Sequence, residues 1–142
     1  MPATTELKRM EFYKFVNNIP RIPILFIRKD KKVFFTEKVI LDTGANVFAI
    51  TKDVFEFLSK ADYNIKEIKR KAETGGGEVK FYEIDDVSFV IGFKDDNVMY
   101  EHEKVYYSPT AVNVSAGVNP IFADFTVLVD FPNKIILEPR IK

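Results

Sequence analysis

The residues of this chain whose types and spacing could do chemistry are an acid, a hydroxyl and a glycine in direct succession, Asp42, Thr43 and Gly44. Apolar residues precede them over 39–41 and follow them over 48–50, which predicts a carboxylate on a tight turn between two strands. A surface hairpin turn would instead have polar flanks. The tripeptide occurs once in the chain. If its chemistry needs two carboxylates, the second must come from another copy of the chain.

A pair of aspartates has properties that a single aspartate lacks. At about 3 Å and an effective dielectric constant near 20, their repulsion is roughly 5 kcal/mol, or about four pK units. The pair therefore holds one proton over a wide pH range. The ionised member can take a proton from water while the protonated member donates to a carbonyl oxygen. That is general acid–base hydrolysis of an amide without a covalent intermediate.

The neighbours of Asp42 fit this chemistry. Thr43 is small and carries a hydroxyl that can bind backbone across a twofold contact. Gly44 lets the turn fold tightly and can present its N–H to the carboxylate. Ala45 leaves space beside the site for a substrate.

Three successive glycines, Gly75, Gly76 and Gly77, lie between two segments that can extend, 71–74 and 78–82. Glycine accepts a positive φ without steric cost, so this pattern predicts a flexible hairpin tip. Such a tip is a candidate lid that closes over an extended peptide and excludes water.

Short apolar and aromatic runs separated by turn residues dominate the rest of the chain, which indicates a mostly β sandwich or barrel. One helix is predicted from Lys52 to about Lys60, capped by Thr51, and one helical turn over 119–124. For 10–16 a helix starting at Glu6 is the alternative to a strand. The predicted strands are 10–16, 21–27, 33–36, 38–42, 48–50, 65–68, 78–82, 87–93, 98–107, 111–116, 125–131 and 134–137, with 125–131 buried.

Several charged groups have simpler interpretations than catalysis. The cluster over 28–32 is predicted to be a solvated hairpin tip. The paired acids Asp85 and Asp86 lie in turn-like sequence, and neighbours in a strand diverge, so they form no ready dyad. His102 has no partners marked by metal-ligand spacing and is predicted to be solvent-exposed.

Composition sets the broad class. A chain of 142 residues with 46% hydrophobic residues is predicted to be one globular domain. Lys plus Arg and Asp plus Glu number 21 each, which gives no electrostatic support for binding nucleic acid or an acidic membrane surface. There is no cysteine, and residues 1–6 have no apolar signal core. No apolar run approaches a membrane span, so we expect a cytoplasmic protein.

Five segments together resemble the retropepsin-like aspartic proteases, over most of the chain from Ile19 to Leu137. Residues 39–45 closely match the active-site motif of that family, and 20–24 resemble its opening strand. Residues 73–79 lie where the family has its flap, and 116–119 where it has a glycine after two large hydrophobic residues. Residues 127–137 resemble its terminal hairpin.

The resemblance implies a mostly β, closed acid-protease-type barrel with one short helix after the active-site strand. It also implies a twofold homodimer that acts on an extended peptide or unfolded protein without a metal or organic cofactor. Residues 1–18 would be an N-terminal extension with a strand at the dimer interface, and 19–142 the protease domain. The implied site residues are the catalytic Asp42, the supporting Thr43, Gly44, Ala45 and Gly117, and the substrate-binding or flap residues Asn46, Thr74, Gly75, Gly76 and Gly77.

Two departures from the family pattern keep alternatives open. Ser115 and Ala116 replace the usual bulky pair before Gly117, and Asn46 stands where many members have Asp. A retropepsin-like module that dimerises or binds peptides with little or no hydrolysis is therefore an alternative. An unrelated small β-barrel with a chance Asp-Thr-Gly turn is another.

Overall fold

A computed structural model gives the fold of this protein and describes residues 9–12, 15–16, 19–41, 47–71, 78–92, 97–109, 115–116, 121–131 and 133–140. Eleven strands and one helix make up the regular structure of these residues. In chain order they are β1 (Met10–Phe12), β2 (Phe15–Val16), β3 (Ile19–Ile27), β4 (Val33–Leu41), β5 (Ala49–Ile50), α1 (Lys52–Ser59), β6 (Ile65–Lys71), β7 (Glu78–Ile91), β8 (Val98–Tyr107), β9 (Ser115–Ala116), β10 (Phe125–Asp130) and β11 (Lys134–Pro139). The predicted mostly β class is confirmed.

The strands form two sheets. The larger one has eight strands in the order β2-β3-β4-β9-β5-β8-β7-β6, and β3 also pairs with β7. The smaller one, the terminal sheet, has three strands in the order β1-β11-β10. The pairings of the larger sheet can be followed from β3 through β4, β9, β5, β8 and β7 back to β3. Its links through β9 consist of only two residue pairs to β4 and one to β5, so a regular closed barrel is not shown and stays a prediction.

The predicted hairpin of β3 and β4 is confirmed, but the two strands predicted over 33–36 and 38–42 are one strand. Its register shifts between the pairs Ile22–Val39 and Ile24–Thr36, so β4 has one more residue there than β3. Pro23 lies in β3 opposite this bulge. Proline has no N–H to donate, and a bulge absorbs the missing ladder bond. β3 can therefore continue through Pro23. β4 continues through position 37, where the sequence predicts a break between two strands.

The longest strand, β7, passes through Asp85 and Asp86, for which the sequence predicts a turn. Between Ile84 and Val87 the pairing with β8 gains a residue on β7, and just beyond it gains one on β8. Asp86 and His102 lie in these twin bulges with positive φ values of 66° and 59°. Asp and His tolerate this left-handed conformation better than most residues. The paired acids are thus part of a bulged strand.

The core of the larger sheet is built from buried aromatic rings. Phe48 packs at centroid distances of 4.8 Å from Phe89 and 6.1 Å from Phe26. Phe89 stacks on Tyr100 at 5.3 Å. Full burial of each such side chain contributes about 1.5–3 kcal/mol. The abundance of phenylalanine in the sequence is therefore explained in part by this core.

The helix α1 covers one face of the sheet. Val54 and Leu58, four residues apart on one side of the helix, are fully buried. Thr51 stands at the N-terminal end in extended conformation, but its side chain makes no capping hydrogen bond. The helix predicted at this position is confirmed, and it ends at Ser59.

The turn between β3 and β4 is exposed over 29–32, as the charge cluster predicts, but Arg28 at its start is buried and binds the C-terminal end of α1. Arg28 is buried and donates two hydrogen bonds of 2.7 Å to the Asp30 carboxylate and one of 2.8 Å to the Phe57 carbonyl. The backbone N–H of Lys29 donates to the Tyr63 hydroxyl at 3.0 Å. The Arg28 guanidinium lowers the pKa of Asp30 to about 2. The Phe57 carbonyl, which accepts only a long bond of 3.4 Å from the Lys60 N–H at the end of the helix, thus gains a charged donor.

The terminal sheet holds the strand that was predicted to be buried over 125–131, and this prediction is wrong for most of it. Phe125 is buried, but Leu128 is 50% exposed, Val129 49% and Phe131 61%. The reason is position: β10 lies at the edge of a three-stranded sheet and extends past the core that covers its first residues.

The N-terminal residues join both sheets. In place of the single strand predicted over 10–16, β1 pairs with β11 and β2 pairs with β3, both antiparallel. The division of the chain after residue 18 and the placement of its first strand at a dimer interface stay predictions. No helix in the part of the chain that the structure describes is long and apolar enough to cross a membrane. The cytoplasmic location is likewise still a prediction.

Candidate functional site

The two strands on either side of the Asp-Thr-Gly segment are joined by the short strand β9. Ser115 and Ala116 pair in parallel with Ile40 and Leu41, the last residues of β4. On its other edge, Ser115 pairs with Ala49, the first residue of β5. The chain therefore leaves one neighbour of β9 before the Asp-Thr-Gly motif and returns on the other neighbour after it. Leu41 and Ala49, which lie before and after the segment 42–46, are thus both paired with the same strand.

The ends of β4 and β9 are neighbours, and each is followed by a segment that is predicted to contribute to the site. Leu41 and Ala116 are paired partners, so the segments that follow them start from neighbouring ends of two parallel strands. One segment contains Asp42 and the other contains Gly117. Ser115 and Ala116, which depart from the family pattern, therefore lie beside the last two residues before the motif.

The predicted flap is flanked by a long antiparallel hairpin. β6 and β7 pair continuously from Ile65–Ile84 to Lys71–Glu78. β7 pairs in turn with β8, and β8 with β5. The Tyr106 N–H donates to the Phe48 carbonyl at 2.9 Å just before β5 begins. A continuous set of backbone pairings thus connects the hairpin to the strand that follows the motif.

None of the predicted site residues is among the residues that the structure describes, so their roles stay predictions. Those outside the described residues are Asp42, Thr43, Gly44, Ala45, Asn46, Thr74, Gly75, Gly76, Gly77 and Gly117.

A buried hydrogen bond holds the helical turn 121–124, which precedes β10. Residues 121–124 form a helical turn, as predicted within 119–124, and end at Asp124. The Tyr100 hydroxyl donates to Asp124 Oδ2 at 2.9 Å, with both residues buried. Burial, followed by the negative charge of Asp124, raises the pKa of the Tyr100 hydroxyl. The Arg140 N–H donates to the Asp124 carbonyl at 2.9 Å, so the turn is bound to the core and to the C-terminal residues.

Sequence reasoning did not find this pair. Asp124 is followed by Phe125 and Thr126, so no motif marks it in the sequence. Its partner Tyr100 is 24 residues away and on another element. No spacing rule links a strand tyrosine to an aspartate in a later helical turn, so a signal for this contact is missing from a single sequence.

Outside the candidate site, the twin bulges form a second cluster of titratable groups. His102 Nδ1 hydrogen-bonds the Asp86 carboxylate, and Lys29 Nζ lies 3.9 Å from the other oxygen of Asp86. This carboxylate raises the pKa of His102. The imidazole is 79% exposed, as predicted. Among the residues described, no three histidine, aspartate or glutamate side chains lie together as metal ligands would.

Comparison with known proteins gives a fold but no sequence family. The structure is similar to the crystal structure of a retropepsin-like aspartic protease from Rickettsia conorii, with a TM-score of 0.55 and 15% sequence identity. The similarity covers 94% of this chain and 93% of that one. No protein-family model matches the sequence, and no curated protein does. At this identity the likeness is one of fold, so we conclude that the chain has a retropepsin-like fold.

Proposed function

We propose that this protein is an aspartic endopeptidase that is active as a homodimer, with Asp42 from each subunit forming the catalytic dyad. The observation that carries the proposal is the placement of β9 between the strands that flank 42–46. An aspartate used as an acid or base must be held in a fixed position relative to its partner. Backbone pairing on both sides of the motif, in a retropepsin-like fold, supports such rigidity.

In the proposed mechanism the two Asp42 carboxyls share one proton. The ionised carboxylate removes a proton from a water molecule, which attacks the peptide carbonyl carbon, while the protonated carboxyl donates to the carbonyl oxygen. The tetrahedral intermediate then collapses: the carboxyl that took the proton from water gives it to the leaving amine as the C–N bond breaks, and the other carboxylate regains its proton from a hydroxyl of the intermediate. Thr43 and Gly44 support the carboxylate geometry, Ala45 gives the substrate space, and Gly117 supports the site from the segment after β9.

The hairpin of β6 and β7 would present Thr74, Gly75, Gly76 and Gly77 over an extended peptide, and Asn46 would bind its backbone. Exclusion of water by such a lid strengthens the electrostatic interactions at the dyad. This chemistry needs no metal or organic cofactor. We also propose that the larger sheet closes into a barrel through the β3–β7 pairing.

The terminal sheet supports the homodimer. β10 has no strand on its outer edge in the part of the chain that the structure describes, and it exposes Leu128 and Val129 near the hairpin end. Regular edge strands with apolar side chains pair readily with a second chain. A twofold axis beside β10 would bring two copies together in an isologous contact.

The test compares the wild-type protein with Asp42→Asn on an unfolded protein substrate from acidic to neutral pH. We expect the wild type to cleave and Asp42→Asn to lose at least about a thousandfold of the rate while remaining dimeric. Asp62→Asn is the matched control, because Asp62 is an exposed aspartate in the loop after α1. Equal cleavage by wild type and Asp42→Asn would refute the proposal.

Dependence on protein concentration tests the shared dyad separately. Specific activity should fall as the protein is diluted below its dimer dissociation constant. A monodisperse monomer with full activity would contradict the two-subunit site. A dimer that binds peptides without Asp42-dependent cleavage would instead support the alternative, a retropepsin-like binding module.

A further inference from the structure

The strand β6 forms one edge of the larger sheet. It pairs with β7 from Ile65–Ile84 to Lys71–Glu78 without a register shift, and no strand pairs with its other edge in the part of the chain that the structure describes. In an antiparallel pair, alternate residues direct their N–H and C=O groups away from the partner strand. The outer edge of β6 therefore presents a row of backbone donors and acceptors with which a further strand can pair.

This edge strand is basic. β6 has the sequence Ile-Lys-Glu-Ile-Lys-Arg-Lys, with four basic residues and one acidic residue. The Lys66 and Lys69 side chains are exposed. The acidic residue, Glu67, has its Oε1 atom 3.2 Å from Lys80 Nζ and 4.0 Å from Lys69 Nζ. Because one carboxylate is shared between lysines of two strands, β6 keeps an excess of positive charge.

The two faces of β6 differ in what they offer to a neighbouring strand. Side chains alternate along a strand, so Lys66 and Ile68 lie on one face and Lys69 lies on the other. Glu83, which pairs with Lys66 in the ladder, already has Lys104 Nζ 3.4 Å from its Oε1 atom. Ile68 is half-buried. An added strand would thus meet a positive charge at two of these positions and an apolar side chain at the third.

The charge of β6 also decides which neighbour suits it. Two copies of β6 would bring together two strands with the same positive excess, which disfavours pairing with a second copy of the chain. β10, by contrast, exposes the apolar Leu128 and Val129. The strands β7 and β8 separate β6 from β5, the strand that follows the Asp-Thr-Gly motif. A segment on the outer edge of β6 is therefore not the segment that the proposed dyad would cleave, and an acidic segment of another protein fits this edge best.

We propose that the outer edge of β6 binds an acidic, extended segment of a partner protein by addition of a strand. In an antiparallel arrangement, residues directly opposite each other share a face of the sheet. The partner would therefore have acidic residues opposite Lys69 and Lys66. Between them it would have an apolar residue opposite Ile68 and an uncharged residue opposite Glu67. Backbone hydrogen bonds would supply affinity, and these four positions specificity. The inference does not rest on the proposed peptidase function.

The test measures binding of a peptide with the central sequence Glu-Val-Thr-Glu to Asp42→Asn protein, so that cleavage does not remove the ligand. Adding Lys66→Glu and Lys69→Glu together should weaken binding by about tenfold or more. The matched control, Lys31→Glu with Lys32→Glu, makes the same change of charge at exposed positions in the β3–β4 turn and should change affinity by about threefold or less. A Lys-Val-Thr-Lys peptide should prefer the β6 variant, which also shows that this variant is folded.

Backbone pairing is tested separately from charge. The peptide amides alternate between its two edges, so methylation of every second nitrogen should abolish binding in one of the two alternating patterns and preserve it in the other. Hydrogen exchange in β6 should become slower when the unmethylated peptide binds. Equal binding of both methylated peptides, or equal losses in the β6 and turn variants, would overturn the inference. Full protection of the β6 amides before peptide is added would also overturn it, because the edge would then be occupied by this chain or by a second copy.

Discussion

Two hairpins, β3–β4 in the larger sheet and β10–β11 in the terminal sheet, expose apolar side chains to a similar degree and differ in how they are held. Val33 of β4 is 56% exposed and Leu128 of β10 is 50% exposed. The first hairpin is interrupted by a bulge, pairs with β7, and has its turn bound to α1 by Arg28. The second has six consecutive residue pairs and a turn closed by the Asn133 N–H on the Asp130 carbonyl.

The exposure of apolar side chains alone therefore does not identify an interface. A bulged strand anchored on several sides is a poor template for another chain, whereas a regular edge strand is a good one. In the proposed homodimer we therefore expect the contact at β10 and not at β4, although both carry exposed apolar residues.

Substitution at β10 should change dimer affinity more than any other substitution considered below. Unchanged affinity would contradict the contrast between β10 and β4. Leu128 points away from the core-facing residues of its strand, so Leu128→Arg should leave the monomer fold intact. In a twofold contact the change places two like charges together, and we expect dimer affinity to fall by about a hundredfold or more. Sedimentation equilibrium measures the affinity, and peptide cleavage at several protein concentrations measures its consequence.

Val33→Arg is the matched control, because it places the same charge at an equally exposed position of the other hairpin. We expect it to leave dimer affinity unchanged within about threefold, which is the effect of an ordinary surface substitution. If Val33→Arg dissociated the dimer and Leu128→Arg did not, the contact would belong to β4.

A smaller effect is expected at the segment that leads into β10. Tyr100→Phe removes the donor to the buried Asp124 carboxylate, which immediately precedes β10. A buried acceptor that loses its donor costs about 1–3 kcal/mol of unfolding free energy. Urea denaturation measures this difference. Tyr107→Phe, at a buried ring that stacks on Phe55, is the control and should change stability by about 0.5 kcal/mol or less.

The double variant Tyr100→Phe with Asp124→Asn tests whether the loss of stability comes from the hydrogen bond between these two residues. Removing the carboxylate charge should recover part of the loss caused by Tyr100→Phe, because an amide tolerates the missing donor better than a buried carboxylate does. Additive losses in the two single variants would show that the hydrogen bond does not couple them.

The smallest expected effect concerns the anchor of the β3–β4 turn and depends on pH. The pKa of Asp30 is lowered from 3.8 to about 2, chiefly by its hydrogen bond with Arg28. A lowered pKa means that the pair stabilises the fold above about pH 4 and loses this contribution as the pH falls towards 2. Asp30→Asn should therefore be less stable than wild type at neutral pH and should lose less stability between pH 4 and 2. Thermal unfolding of both proteins across this pH range measures the effect, and parallel curves would exclude it.

The sequence predicted the parts of the fold that depend on local pattern. The strand Val98–Tyr107, the helix after Thr51 and the β3–β4 hairpin all follow from periodicity and turn residues near them in the chain. The continuation of β4 through its bulge could not be predicted, because a bulge depends on the partner strand. The burial of Arg28 was missed for a similar reason, since its carbonyl partner belongs to a helix that is distant in sequence.

The candidate site was predictable to the extent that its motif is contiguous. Asp42 and its two neighbours predict a chemistry, which stays a prediction, and the glycines predict a hairpin, in agreement with the antiparallel pairing of β6 and β7 up to Lys71–Glu78. The pairing of the two-residue strand β9 with both flanks of the motif could not be read from sequence. A strand of this length has no periodicity, and its pairing with Ile40 and Leu41 joins residues from opposite halves of the chain.

The twin bulges of β7 and β8 have a consequence for how this protein can change in length. The extra residue on β7 at Asp85–Asp86 is followed by an extra residue on β8 at Glu101–His102, so the register is the same on both sides of the bulges. The first bulge shifts the register of the pairing by one residue, and the second shifts it back. A deletion in one strand alone would turn Phe89 and Ile91 out of the core unless the partner strand lost a residue too. Homologous chains should therefore keep both insertions or lack both.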